Sequence, residues 1–103
     1  MKNNNREGVH VKRLMILLPV LNEAEGLDVI LKTIPYEALE KKGWDAEVLI
    51  VDGKSTDASR QIGIDAGCNV IVQPSRGKGE AVRVGIDHAI RNTYDAVVMF
   101  DAD

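Results

Sequence analysis

Four short apolar runs, at positions 14–18, 47–51, 69–72 and 96–100, divide the chain. Each is nearly continuous instead of alternating with polar residues, the pattern of a parallel strand covered on both faces. Helical spacing fills the gaps. Leu27, Ile30, Leu31 and Ile34 mark one face of a first helix. It is read as capped by Asn22, with Glu25 in capping-box spacing, and as ending at Pro35. A second helix follows Ser55, Thr56 and Asp57, is expected to bury Ala58, Ile62 and Ala66, and stops at Gly67. A third opens after Gly77-Lys78-Gly79, with Val82, Ile86, Ala89 and Ile90 on its inner side. Residues 36–44 read as a connector with one more helical turn. The order β-α-β-α-β-α-β predicts an α/β fold: a mostly parallel sheet with right-handed crossovers and flanking helices.

In such sheets ligands sit beyond the carboxyl ends of the strands. That rule selects residues 19–23, 52–57, 74–79 and 101–103, and the unusual chemistry of the chain lies there. Asp101 and Asp103 follow the fourth strand. Two carboxylates at i and i+2 reach one ligand where the chain bends, and oxygen donors of this kind suit Mg²⁺ or Mn²⁺ shared with phosphates. A solvated acidic turn is the plain alternative. Asp52 ends the second strand, placed either to accept hydrogen bonds from a ribose or base or to cap the turn after it. Asp57 suits a helix cap. Gly77-Lys78-Gly79 lets backbone approach an anion at a helix N-terminus, with Lys78 adding a mobile charge; a flexible helix entry is the alternative. Glu23 sits where any first helical turn favours a carboxylate.

Composition narrows the classes. With 13 basic and 16 acidic residues in 103, the net charge is −3, and no basic stripe suggests a nucleic-acid partner. Aromatics, at 4%, are too few for a base-stacking platform. A single cysteine, Cys68, builds neither a disulfide framework nor a zinc cluster and points to a reducing compartment; it reads as a small buried hydrophobe. Arg76, Arg83, His10 and His88 read as solvated, and Trp44 as packing at the sheet edge. Gly53-Lys54-Ser55-Thr56 departs from a P-loop because Val48 stands where the first glycine belongs. Gly77-x-Gly79-x-x-Val82, with Asp101 some 20 residues on, keeps a dinucleotide-binding oxidoreductase fragment as one alternative. A non-catalytic receiver-like module with acidic strand ends is another.

Taken together, four segments resemble the nucleotide-sugar half of a family 2 glycosyltransferase with the GT-A fold. They are Leu18-Pro19-Val20-Leu21-Asn22-Glu23, Ile50-Val51-Asp52-Gly53-Lys54-Ser55-Thr56-Asp57, Gly77-Lys78-Gly79-Glu80-Ala81 and Phe100-Asp101-Ala102-Asp103, the last matching the DXD motif. The chain is most similar to members of the dolichyl-phosphate-mannose-synthase and glucosyl-phosphoglycerate-synthase types. The resemblance implies transfer of a sugar from a UDP- or GDP-sugar, with Mg²⁺ or Mn²⁺, to an acceptor such as a polyprenyl phosphate or phosphoglycerate. It implies that Pro19, Leu21 and Glu23 line the base pocket, with Asp52 on the base or ribose and Gly53 beside it. Lys78 would approach the nucleotide, Asp101 and Ala102 the ribose, and Asp103, with Asp101, the metal.

Two departures stand out. Many members read Asp-Asp-Gly-Ser where this chain has Asp52-Gly53-Lys54-Ser55, so a second carboxylate is missing and Lys54 replaces a glycine suited to a left-handed turn. The expected organisation is a flexible tail over residues 1–12 and the donor-binding part of the domain over 13–103, read as truncated. No catalytic base can be named, the isolated chain is expected not to transfer sugar, and an exposed sheet edge is expected to promote self-association. The expected location is the cytoplasm, at the membrane face in a longer parent.

Overall fold

The computed structural model describes residues 11–101. Ala102, Asp103 and most of the expected tail (residues 1–10) lie outside the described residues. Four strands, β1 (Lys12–Val20), β2 (Trp44–Asp52), β3 (Asn69–Val72) and β4 (Ala96–Met99), form one sheet in the order β3-β2-β1-β4. Every neighbouring pair is parallel. The helices are α1 (Ala24–Thr33), α2 (Tyr36–Lys41), α3 (Ser59–Asp65) and α4 (Lys78–Arg91).

The pleat sorts the core into two layers. Leu14, Ile16, Leu18 and Val20 of β1, with Ala46, Val48 and Ile50 of β2, pack against Leu27, Ile30, Leu31 and Ile34 of α1, Leu39 of α2 and Ile62 of α3. Met15, Leu17, Leu49 and Val51 point the other way, onto Ala81, Val84 and Ala89 of α4. Continuous apolar strands are therefore the expected consequence of burial on both faces. Trp44 opens β2 half-buried beside the first layer, with the Lys12 ammonium 5.4 Å from its ring centroid. Cys68 packs half-buried against that layer.

Two helices turn a different face inward than hydrophobicity suggested. In α3 the buried residues are Ser59 and Gly63, while Ala58 and Ala66 are exposed. In α4 they are Ala81, Gly85 and Ala89; Ile86 and Ile90 are 39% and 72% exposed. The reason is close approach. A Cβ on Gly85 would lie 2.5 Å from both Leu17 methyls, and one on Gly63 would overlap Ile50 Cδ1. Small residues let these helices sit directly on the sheet, and the larger isoleucines take the flank.

Candidate functional site

At the carboxyl end of the sheet a cleft of about 550 Å³ opens between the loops that follow β1, β2 and β3. Pro19, Leu21, Glu23, Gly53, Lys78 and Asp101, six of the residues expected at the site, line it together with Asn22, Lys54, Thr56, Gln73 and Arg76. Ala102 and Asp103 fall outside the described residues.

Pro19 lies beyond the last β1–β4 pair, Leu17↔Met99. Leu17 O already accepts Phe100 N–H on that side, and Pro19 shares its parity, so the missing N–H costs no ladder bond. Next comes a clasp between two loops. Asn22 takes a left-handed φ of 50°, which asparagine tolerates, and its Oδ1 accepts the N–H of Thr56 at 2.7 Å and of Asp57 at 3.2 Å. Its own N–H donates to Ser55 Oγ at 2.9 Å. Glu23 N–H donates to the fully buried Ser59 Oγ at 3.0 Å, and Ala24 N–H to Asp57 Oδ2 at 3.2 Å. The expected capping box therefore does not form: Glu23 holds the N-cap position of α1 without a side-chain bond. Asn22 gives its acceptor to the neighbouring loop instead. Asp57 stands one residue before the α3 N-cap, Ala58, and its Oδ1 accepts Ser59 N–H at 2.9 Å.

Asp52 stands behind the cleft wall, fully enclosed and not among the lining residues. Its Oδ2 accepts the N–H groups of Lys54 and Ser55, both at 3.1 Å, and Arg60 Nη2 at 2.9 Å. Burial pushes this carboxyl up, but the hydrogen bonds from Ser55 and Arg60 prevail and hold it below the usual carboxylate range. The turn it organises carries Lys54 at φ 71°, so the left-handed conformation persists without glycine. Lys54 Nζ then reaches Pro74 O at 3.3 Å, tying two cleft loops together.

On the opposite wall α4 begins at Lys78, after Gly77 at φ 109°, a conformation that requires glycine. Lys78 Nζ lies 2.8 Å from Asp101 Oδ1. Arg83 is not free in solvent: it pairs with Glu80 at 2.6 Å and, with Ser75, draws the Glu80 carboxyl down to about 2. The sequence reading passed over Gln73, Ser59 and Arg60. Buried after β3, Gln73 donates its Nε2 hydrogens to Ser75 O and Gly77 O and so shapes the loop leading into α4. A polar residue ending a short apolar run was the available signal, and it is shared by many loops.

The sequence profile of "Glycosyl transferase family 2" matches residues 15–103. The chain belongs to this family. It is 40% identical over 88 residues to glycosyltransferase AglJ of Haloferax volcanii, covering 85% of this chain and 26% of that protein. An uncharacterized glycosyltransferase of Mycobacterium tuberculosis is 36% identical over 88 residues, covering 85% of this chain and 35% of its own length. The fold matches glucosyl-3-phosphoglycerate synthase from M. tuberculosis in complex with Mn²⁺, UDP and glucosyl-3-phosphoglycerate. The TM-score is 0.71 at 25% identity, over 96% of this chain and 39% of that one. The same enzyme with Mn²⁺ and UDP-glucose gives 0.70 at 26% identity, over 89% and 33%. These matches establish the GT-A type of α/β fold and do not favour the dinucleotide-binding or receiver-like alternatives. The chain spans well under half the length of these relatives.

Proposed function

We propose that this chain carries the donor-binding part of a sugar transferase, taking a UDP- or GDP-sugar with Mg²⁺ or Mn²⁺. The observation that carries the reading is the cleft itself, which gathers Pro19, Leu21, Glu23, Gly53, Lys78 and Asp101 from three loops and a strand end. Family membership supports it, as do the UDP, UDP-glucose and Mn²⁺ held by the structural neighbours. In this reading Pro19, Leu21 and Glu23 flank the base, with Gly53 leaving room beside it. Asp52 acts from behind, fixing the turn at 54–55 that forms the wall. Lys78 and the N-terminus of α4 receive the diphosphate.

The donor set fits a hard cation: Asp101 offers carboxylate oxygens at the mouth, and Asp103 and Asp101 would hold the ion. Among the described residues no three potential ligands converge, and oxygens of water and of the diphosphate would complete the shell. When bound, the ion neutralises charge on the diphosphate leaving group. Lys78, now paired with Asp101, is placed to exchange that partner for a phosphate. The acceptor we propose is a phosphate-bearing compound such as a polyprenyl phosphate or phosphoglycerate, the second in keeping with the ligands of the structural neighbours. No described helix is long and apolar enough to cross a membrane. We place the protein in the cytoplasm, at the membrane face when the acceptor is a lipid phosphate.

Calorimetric titration with UDP and Mn²⁺ tests the reading. Saturable binding that weakens about tenfold or more in Asp103→Ala is expected. Metal-independent NADH binding without UDP affinity would overturn it.

A further inference from the structure

Behind Gly53 lies the side chain of Gln73. Gln73 is 3% exposed, and its amide is locked in one orientation: Nε2 faces two backbone carbonyls, Ser75 O at 2.5 Å and Gly77 O at 3.1 Å. Turning the amide over would press Oε1 against both carbonyl oxygens, so those contacts fix which end is which. Among the described residues Oε1 has no hydrogen-bond partner. It is not sealed in either, because Asp52 Oδ1 is the fully enclosed, unpartnered side-chain oxygen among the described residues. Gln73 lines the cleft, and its Oε1 would lie 3.6 Å from a Cβ placed on Gly53. A side chain at Gly53 would start in van der Waals contact with this oxygen, and glycine places none there.

We propose that Gln73 Oε1 is the acceptor that selects the base of the donor nucleotide, reading a ring N–H flanked by a carbonyl. This inference rests on the reading of the cleft as a nucleotide site. Glutamine ordinarily serves either hydrogen-bonding sense by flipping; here the flip is blocked, and the group can only accept. Uracil N3–H and guanine N1–H supply the matching donor. Cytosine and adenine present an unprotonated ring nitrogen at the equivalent edge, which would face Oε1 acceptor to acceptor. The carboxylate missing at position 53 is in this way replaced by a neutral acceptor from the next strand. A base seated over Gly53 shuts water away from Oε1, so an unmatched ring nitrogen there leaves both groups unpaired.

Calorimetric titration of the 103-residue chain with UDP, GDP, CDP and ADP, each with Mg²⁺, provides the test. Either UDP or GDP is expected to bind about tenfold or more tightly than CDP and ADP, and the winning arm identifies which base is read. Methylating the ring nitrogen of the preferred nucleotide, as 3-methyl-UDP or 1-methyl-GDP, is expected to cost a similar factor. In Gln73→Met, shown to be folded by circular dichroism, the preference is expected to fall to about threefold or less, through loss of the preferred nucleotide. Equal wild-type affinity for all four, or full preference retained in Gln73→Met, would overturn the role of Gln73 and leave the nucleotide cleft standing. Binding of none of the four would overturn the nucleotide reading itself and Gln73 with it. If Gln73→Met does not fold, the methylated analogue decides on the wild-type chain, where unchanged affinity refutes the proposal.

Discussion

Asp52 shows how a single residue sets the wall of the cleft. Its enclosed carboxylate is tolerated because Arg60 and two backbone N–H groups meet Oδ2. Replacing Arg60 with alanine leaves that charge uncompensated; with Arg60 partly exposed, we expect a loss of about 2–3 kcal/mol in urea unfolding at pH 7. The pH dependence follows in sign. Asp52 sits below its ordinary pKa, as does Asp57 through its hydrogen bonds from Ser59. Carboxyls depressed by folding stabilise fully above their unfolded values and lose that contribution as pH falls through the native ones. The melting temperature should therefore hold from pH 7 to about 5 and drop below about 4, and in Arg60→Ala the drop should be shallower, because Asp52 is no longer held as far below its unfolded value. A melting temperature that rises on acidification would contradict this. Asn22→Ala, which removes the acceptor for Thr56 and Asp57, should cost about 1–2 kcal/mol by the same assay. The position and polarity of Asn22 were legible in the sequence. Its partner was not, because a side chain facing two sets of free N–H groups is assigned by where the loops converge.

At the level of elements, the strands were readable because burial on both faces leaves an unbroken apolar run: β1 and β2 grow at their ends, β3 keeps its predicted bounds, and β4 stops one residue early, at Met99. The inner faces of α3 and α4 were not. Hydrophobicity ranks Ile86 and Ile90 above Gly85, whereas packing distance ranks them the other way. Gly85→Ala separates the two. Helix propensity alone predicts a gain of about 1 kcal/mol. Overpacking predicts a net loss of about 1–2 kcal/mol, because the new methyl meets both methyls and the Cγ of Leu17, which is itself enclosed. Gly63→Ala should cost less, since the closest atom there is the rotatable end of Ile50. Equal effects in chemical denaturation would contradict the packing account. In the turn after β2, Lys54→Gly should stabilise by about 0.5–1 kcal/mol, relieving the left-handed lysine at the expense of a weak exposed bond to Pro74.

For the whole molecule, the consequential feature is the outer side of β4. Val98, Met99 and Phe100 are 39%, 46% and 50% exposed, and an apolar groove of about 300 Å³ runs from Phe100 along Leu14 and Ile16 to Ile30, Ile34 and Leu39. An open apolar strand edge is a template for pairing. We propose concentration-dependent self-association there: equilibrium sedimentation should show it in the wild type and show it reduced in Val98→Lys. A wild type that stays monomeric at every concentration would refute it. The cleft at the far end of the same strands follows from topology, since parallel order delivers every strand end, with its loop, to one side. That is why the four motifs could be placed together before any coordinates. The locked amide of Gln73 could not, because its meaning depends on which carbonyls the next loop turns towards it. Whether the donor nucleotide sits in this cleft is read from titration of ¹⁵N-labelled chain with Mg²⁺ and UDP, following backbone amides. Saturable shifts should concentrate in residues 19–23, 53–56, 73–79 and 101. Shifts confined to the groove beside β4, or none at saturating ligand, would contradict the account.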